Sequence, residues 1–205
     1  TNYAQRRTSA NQEVTRHIVD FLHEADFNIT NIQSNVIDQA ISDATVKFFL
    51  EDANTPQEEK ERIRKERTIK QIRTIFEHTI ETEEGKEIYA MGLENESAGT
   101  MRTFGLEAAL HEAVQTQSVL TIDEVDTSLH PKLLEKILFE YLRTSSRTQL
   151  LVATHNDGLL DLVDDLIRKD SVWFTEKKRS GVTDLYKLTD FRGVNRLSSI
   201  REAYR

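Results

Sequence analysis

The strongest constraint on the fold is a strand–helix–strand pattern in the second half of the chain. Residues 119–122 form a short apolar run of the kind that buried strands use, and the run stops abruptly at Asp123. Residues 131–142 carry apolar side chains at helical spacing. Residues 150–154 form a second buried-strand pattern that ends at His155. A crossover of this length predicts two parallel strands joined in the right-handed sense, which indicates an α/β fold.

Charged and titratable residues follow both predicted strands. Asp123 and Glu124 come directly after the first strand, and His155 comes after the second. Parallel α/β sheets bind ligands at the carboxyl ends of their strands, so these three side chains mark a candidate site. An acidic pair taken alone is more often the polar end of a buried strand, and a lone histidine is more often structural. The shared edge favours the functional interpretation.

Adjacent carboxylates at a strand end suit the hydrolysis of a nucleotide. One carboxylate holds Mg²⁺, often through water, while the other positions or deprotonates the attacking water. We therefore expect Asp123 to serve the metal and Glu124 to serve the water. An imidazole at His155 would hydrogen-bond the terminal phosphate or the attacking water.

Hydrophobic periodicity predicts the remaining elements. Residues 57–67 are almost entirely charged, with Ile63 as the only aliphatic side chain, which predicts a solvated helix face. Because glutamates interleave the basic residues there, docking of a partner is a better functional interpretation than contact with DNA. The other predicted elements are a helix over 9–25 capped by Ser9, a helix over 36–48, a hairpin over 68–91, a helix over 101–116, a short helix over 159–167 and a hairpin over 172–188.

Composition excludes several classes of function. The 205 residues include 27 Lys and Arg against 35 Asp and Glu, so a net charge of −8 argues against a basic footprint over the whole surface. A local basic patch would still leave nucleic acid open as a partner. The absence of cysteine excludes disulfides, thiolate zinc sites and cysteine nucleophiles, and it fits a reducing cytosol. The longest apolar runs are far too short to span a membrane, and no secretory signal is visible, so we expect a cytoplasmic protein.

Three motifs together resemble those of a known family. Residues 120–131 (LTIDEVDTSLHP) resemble the Walker B strand and D-loop of ABC-type ATPases, in the form used by the bacterial AAA-labelled, abortive-infection and OLD-like group. Residues 153–156 (ATHN) resemble the switch-histidine segment of that group, and residues 94–102 (ENESAGTMR) are similar to its ESxGTxR signature. Structural-maintenance-of-chromosomes (SMC) proteins are more distant relatives. The motifs occur in the expected order.

The resemblance implies a role for each matching residue. It makes Asp123 the magnesium ligand, Glu124 the general base and His155 the sensor of the γ-phosphate. Two further sets complete the implied site: the signature residues Ser97, Gly99 and Thr100, which act across a subunit boundary, and the D-loop residues Asp126, Thr127, Ser128 and His130. Hydroxyls and unpaired N–H groups at a helix start suit an anion, which agrees with the implied role of the signature.

One part of the family pattern is missing. No GxxxxGK[ST] spacing occurs in the 205 residues, so the phosphate-cradling P-loop is absent from them. We therefore expect the chain to be the C-terminal part of one ABC-type ATPase domain that lacks its P-loop portion, and we do not expect this segment alone to hydrolyse ATP. The expected fold is α/β and P-loop NTPase-like, with a parallel core, flanking helices and hairpins, and a helical, charged insertion at about 34–67.

The resemblance implies an ATPase switch with ATP and magnesium as cofactors. Each composite site would need the P-loop of one subunit and the signature of another, so a homodimer or a higher homo-oligomer is expected. Family analogy points to phage defence, with a protein effector such as a nuclease or toxin under control. One alternative is a DNA-repair or chromosome-organising head like those of the SMC proteins, although the visible insertion is short. Another is a non-hydrolytic interaction module locked by nucleotide, against which the intact Glu124 argues.

Overall fold

A computed structural model describes residues 1–25, 27–83, 85–144, 147–194 and 199–205, in two compact units, Thr1–Thr116 and Gln117–Arg205. The helices of the described residues are α1 (Asn2–Ala10), α2 (Gln12–Glu24), α3 (Asp43–Glu51), α4 (Gln57–Glu66), α5 (Ala98–Thr116), α6 (Pro131–Thr144) and α7 (Ile200–Tyr204). The strands are β1 (Ile29–Ala40), β2 (Thr68–Thr82), β3 (Gly85–Gly92), β4 (Val119–Ile122), β5 (Gln149–Val152), β6 (Trp173–Lys177) and β7 (Thr183–Lys187).

The first unit is built on an antiparallel sheet with the strand order β1-β2-β3. Alternate residues of β2, including Thr74 and Phe76, are buried on one face of this sheet, as expected for a strand with one covered face. Phe76 meets Phe104 of α5 edge to face, with ring centroids 5.3 Å apart. The core that joins α1, α2, α5 and the sheet consists of Ala4, Val14, Ile18, Leu22, Ile29, Ile32, Phe76, Phe104 and Ala108.

The start of the chain forms two helices, so the prediction of a single helix over 9–25 with Ser9 as its cap is wrong. Ser9 lies inside α1, and Asn11 separates α1 from α2. The Asn11 side chain accepts hydrogen bonds from the amides of Glu13 at 2.8 Å and Val14 at 3.4 Å, which satisfies two orphan donors at the start of α2. The capping asparagine therefore begins a new helix two residues after Ser9.

The helix predicted over 36–48 is also wrong in its first half. Residues 36–40 belong to β1 and pair with residues 68–72 of β2. Their apolar side chains do not form a buried helical stripe, since Val36 is 57% exposed. Hydrogen bonds to a partner strand therefore override the local helical spacing, and the helix starts only at Asp43, where Ser42 accepts a hydrogen bond from the Thr45 amide.

The predictions for residues 57–116 are confirmed with small changes. β2 and β3 form the predicted hairpin, with Thr82 opposite Gly85 at the turn. α5 begins three residues before the predicted start at 101 and ends at Thr116 as predicted. The charged run forms α4, and its one aliphatic residue, Ile63, is buried at 1% exposure. The helix that we expected to be wholly solvated thus has one buried side chain, that of Ile63.

The second unit contains the predicted strand–helix–strand pattern. β4 and β5 pair in parallel from Val119 opposite Gln149 to Ile122 opposite Val152, and α6 connects them. One face of this pair packs against α6 around Val125, Leu134 and Leu138. Among the described residues, β4 and β5 are the one pair of strands that runs parallel, so the fold is mixed α/β with small sheets rather than one broad parallel core.

The end of the second unit is only partly as predicted. β6 and β7 form the predicted antiparallel hairpin. The predicted helix over 159–167 is wrong, because a 3-10 helix covers Asp157–Leu162 and the chain then turns, with Val163 bridging to Ile167. The 3-10 helix begins at an asparagine cap, where Asn156 accepts from the Gly158 amide at 2.9 Å. Among the described residues, no helix has the length and apolarity needed to cross a membrane.

Candidate functional site

The acidic turn after β4 is tightly organised by local hydrogen bonds. The Glu124 amide donates to Oδ1 of Asp123 at 3.0 Å, and the hydroxyl of Thr127 donates to Oε2 of Glu124 at 3.3 Å. The Thr127 amide also donates to the Glu124 carbonyl oxygen at 3.1 Å, which closes a turn. Asp123, Glu124 and Thr127 are all exposed, so both carboxylates are accessible from solvent at the end of the strand.

Glu124 adopts a backbone conformation that is uncommon for a residue with a side chain. Its φ is 47°, in the left-handed region, where the Cβ atom crowds the backbone. The next residue, Val125, is buried at 1% exposure, and its amide donates to the Ala153 carbonyl oxygen at 3.1 Å. The left-handed residue Glu124 is thus followed at once by an anchored residue, Val125, while Asp123 and Glu124 remain exposed.

The segment after β5 is joined to this acidic turn beyond the end of the strands. The Ala153 amide donates to the Ile122 carbonyl oxygen at 2.9 Å, which continues the parallel ladder by one step. The Thr154 hydroxyl donates to the carboxylate of Asp126 and accepts from the Asn156 amide at 2.9 Å. His155 is exposed and lies between these two anchored residues. The structure thus ties the histidine segment to the turn that follows Asp123 and Glu124.

An ion-pair cluster follows the histidine segment directly. Asp157 pairs with Arg201 at 3.0 Å and with Arg205, and Arg201 also pairs with Asp161 at 2.8 Å. Hydrogen bonds from Arg205, and next from Arg201, lower the pKa of the Asp157 carboxyl below its ordinary value. These contacts hold α7 against the 3-10 helix that begins two residues after His155.

The residues expected to form a D-loop make a compact connection to α6. The Leu129 amide donates to the Asp126 carbonyl oxygen at 3.0 Å, and Ser128 has a positive φ of 64°. Nδ1 of His130 accepts from the Lys132 amide at 3.3 Å, so the ring helps to cap the first turn of α6. Thr127, Ser128 and His130 are exposed, as expected for a segment that would face another molecule.

Magnesium is compatible with this turn on chemical grounds. Mg²⁺ takes oxygen ligands and usually keeps several waters, so one or two carboxylates together with phosphate oxygens suffice. Asp123 provides an exposed carboxylate of this kind. The described residues contain no cluster of three or more histidine or acidic side chains that could hold a metal without such help. The residues therefore fit a metal that arrives with a nucleotide rather than a closed protein-only site.

The predicted signature residues form the N-terminus of α5 in the first unit. Oγ of Ser97 accepts from the Thr100 amide at 3.0 Å and lies 2.8 Å from Oγ1 of Thr100. The first α-helical hydrogen bond runs from the Met101 amide to the Ser97 carbonyl oxygen at 3.0 Å. Ser97 is exposed while Thr100 is buried, and the Gly99 carbonyl oxygen accepts from the buried Thr103. The helix start is thus well anchored and presents Ser97 to solvent.

Sequence patterns do not reveal two residues that support the acidic turn after β4 and the N-terminus of α5. Thr154 stands within the segment that resembles the switch-histidine motif, but its partner, Asp126, lies 28 residues away. His78 belongs to no motif, although it has the same strand parity as Phe76 on the covered face of β2. Nε2 of His78 lies 2.7 Å from Oε1 of Glu96, directly before the signature serine. A histidine at a core-facing strand position is the signal that could have drawn attention to it.

The fold, the acidic turn after β4 and the signature residues at the start of α5 together indicate the class of the protein. A parallel strand pair with carboxylates at its carboxyl end is typical of nucleotide-binding α/β proteins. Over residues 8–161, the chain matches the family described as "AAA domain, putative AbiEii toxin, Type IV TA system". The chain therefore belongs to this family, whose AAA domain is an α/β P-loop NTPase fold. A search of curated proteins found no match.

Proposed function

We propose that the chain is part of an ATP-binding and ATP-hydrolysing switch. The observation that carries this proposal is the link between the two strand ends. Asp123 and Glu124 stand at the end of β4, and the Thr154–Asp126 and Val125–Ala153 hydrogen bonds hold the His155 segment beside the same turn. Membership of the AAA-domain family supports ATP as the nucleotide and Mg²⁺ as its metal.

Each side chain has a distinct task in the proposed reaction. Asp123 would hold the magnesium, and a bound magnesium would supply charge neutralisation at the phosphates. Glu124 accepts a proton from the water that attacks the γ-phosphate, so that an unprotonated carboxylate is needed at the start of the step. His155 donates a hydrogen bond to the γ-phosphate and couples the second strand to bond cleavage. The exposure of all three side chains leaves them accessible to a nucleotide.

The finer proposal is that this domain is an ABC-type head of the abortive-infection and OLD-like group. In that arrangement Ser97 and Gly99 would contact the γ-phosphate held by the opposite subunit, whereas Thr100, which is buried and donates its amide to Ser97, would support them from within the turn. The capped N-terminus of α5 supports this role, because an exposed hydroxyl and the positive end of a helix favour an anion. The assembly would be a homodimer or a higher homo-oligomer, and ATP would bring its subunits together.

The cellular role in our proposal follows from the family. Its description names a putative toxin and a type IV toxin–antitoxin system. We propose that the ATPase cycle controls a protein effector, a nuclease or a toxin, in a bacterial defence system. The insertion that contains α3 and α4 is the proposed docking element for this partner, since its mixed charges suit a protein surface better than nucleic acid.

A Glu124→Gln substitution in the complete protein, with its P-loop, tests the proposal. We expect ATP turnover to fall by about 10²-fold or more, because the general base is removed. ATP-dependent dimers should persist, since the amide keeps the shape of the side chain. Glu135→Gln is the matched control, because Glu135 is an exposed glutamate of α6 in the same unit. Unchanged turnover in Glu124→Gln would instead favour a non-hydrolytic module that nucleotide locks together.

A further inference from the structure

A hydrogen-bonded histidine–glutamate pair lies next to the signature turn, with the glutamate side chain almost fully removed from solvent. Nε2 of His78 on β2 lies 2.7 Å from Oε1 of Glu96, the residue before Ser97. The Glu96 side chain is only 4% exposed and the His78 side chain 17% exposed. A carboxylate removed from water to this degree needs a partner, and a histidine N–H supplies one.

The position of Glu96 in the chain links this pair to the helix start. Glu96 follows the 3-10 helix Leu93–Asn95, and its amide donates to the Leu93 carbonyl oxygen at 3.2 Å. Its backbone is extended, with φ −74° and ψ 157°. The next residue, Ser97, must hold its hydroxyl at hydrogen-bond distance from the Thr100 amide. A side chain fixed at residue 96 therefore limits how the turn can move at residue 97.

His78 itself lies within the three-stranded sheet. It belongs to β2, where it pairs with Ile29 at the start of β1 and with Tyr89 of β3. Phe76, two residues earlier on the same face, belongs to the fully buried core. Strand pairing on both sides and the neighbouring core residue thus hold the backbone from which His78 reaches Glu96.

We propose that His78 is a positioning residue for the signature turn, acting through Glu96. In this arrangement His78 touches no nucleotide; it holds Glu96, and Glu96 holds the backbone from which Ser97 caps α5. The consequence for catalysis rests on the proposed function, in which Ser97 meets the γ-phosphate of an opposite subunit. A loosened turn would weaken that contact while the P-loop still binds ATP.

The first test uses the complete protein without nucleotide, so it does not depend on ATP turnover. Amide hydrogen exchange is measured for Thr100 and Met101 at the helix start, and for Ile32 and Phe76 in the sheet core. In His78→Ala and in Glu96→Ala we expect the helix-start amides to exchange about tenfold faster or more, while the core amides keep their protection. His23→Ala is the control, because His23 is an exposed histidine of α2 in the same unit.

A conservative variant separates positioning from general support of the fold. In His78→Gln, the side-chain amide can donate to Glu96 as Nε2 does, so we expect protection at Thr100 to return towards the wild-type value. Unchanged exchange at Thr100 in both alanine variants would overturn the proposal. So would an equal increase at all four amides, because it would show that the pair merely stabilises the whole unit.

The second test measures steady-state ATP turnover of the complete protein. His78→Ala should lower kcat by about tenfold or more and change KM by less than about threefold, with recovery in His78→Gln. A wild-type protein that turns over no ATP would refute the proposed function but leave the exchange result standing. Normal kcat in His78→Ala, despite a loosened helix start, would overturn the catalytic part of this inference.

Discussion

The hydroxyl of Thr154 donates a hydrogen bond to the carboxylate of Asp126, across the ends of two parallel strands. The same oxygen accepts from the Asn156 amide at 2.9 Å, so one hydroxyl bonds both to the turn after β4 and to the residue that follows His155. A single side chain therefore connects the segment that carries the histidine to the turn that carries the two carboxylates. In the proposed switch, this hydrogen bond couples a movement of the His155 segment to a movement of the acidic turn.

A Thr154→Val substitution should separate these two segments. Valine keeps the shape of threonine but removes the hydroxyl, so Asp126 loses a donor and Asn156 loses an acceptor. We expect the free energy of unfolding to fall by about 1 kcal/mol, because the site is exposed and water can replace the lost bonds. Urea titration of the 205-residue chain measures this change.

Thr154→Ser is the matched control for that prediction. Serine retains the hydroxyl and loses only a methyl group, so its unfolding midpoint should lie closer to that of the wild type than that of Thr154→Val. If the two variants were equally destabilised, the methyl group and not the hydrogen bonds would account for the effect, and the connection to Asp126 would contribute nothing to stability.

Glu124 provides a second prediction through its backbone. Its φ of 47° disfavours side chains that branch at Cβ, whereas asparagine tolerates this region well. We therefore expect Glu124→Ile to be less stable than Glu124→Asn by about 1 kcal/mol. Both variants remove the carboxylate, so the loss of charge cancels in the difference between their unfolding free energies. Equal stability would show that the turn rearranges without cost.

The acidic turn could be predicted because its signal is local. A short apolar run that ends in Asp123 and Glu124, followed by a helix and a second run ending at His155, is enough to place the three residues at one edge of a parallel pair. The left-handed backbone at Glu124 carried no such signal, because glutamate is not a residue that usually marks this conformation.

The parts that could not be predicted depend on distant partners. Residues 36–40 have helical spacing but pair with residues 68–72 of another strand, so only knowledge of β2 reveals them as a strand. Glu96 is part of a recognisable motif, yet its partner His78 lies 18 residues earlier on the sheet. The Asp157–Arg201 pair spans 44 residues. Local periodicity contains no information about such contacts.

Thr74 carries a buried hydroxyl in a partly buried hydrogen-bond network, and it supplies the third prediction. It is 1% exposed, its Oγ1 accepts from Nε2 of Gln5 at 3.2 Å, and it lies 2.9 Å from Oγ of Ser34. Thr74→Val would leave both neighbours one partner short in a place that water does not easily reach. We expect a loss of about 1–3 kcal/mol in the free energy of unfolding, measured by urea titration.

Thr79→Val on the same strand is the control for Thr74. The hydroxyl of Thr79 lies 2.8 Å from that of Thr30, but this pair is exposed to solvent. Water can replace the lost partner, so we expect a change below about 0.5 kcal/mol. A similar loss at both positions would mean that burial does not govern the cost of breaking these hydroxyl pairs.

The fourth prediction concerns the pH dependence of stability at His111 on α5. Burial, and next the proximity of His17, lowers the pKa of the His111 imidazole below its ordinary value. The ring centroids of the two histidines are 4.7 Å apart, and Arg7 adds to the effect while Glu13 and Glu112 oppose it. The folded chain therefore binds a proton at this position less readily than the unfolded chain.

The sign of the pH effect follows from this difference in proton binding. Above the ordinary histidine pKa of about 6.5, the contribution of His111 to the free energy of unfolding should be constant. Below that pH the free energy of unfolding should fall, until the pH has passed the pKa of His111 in the folded chain. His111→Gln should flatten this slope, measured as urea unfolding between pH 7 and pH 5. His17→Gln should flatten it only in part, because it removes the second cause and leaves the burial. An unchanged slope in His111→Gln would show that other groups produce the pH dependence.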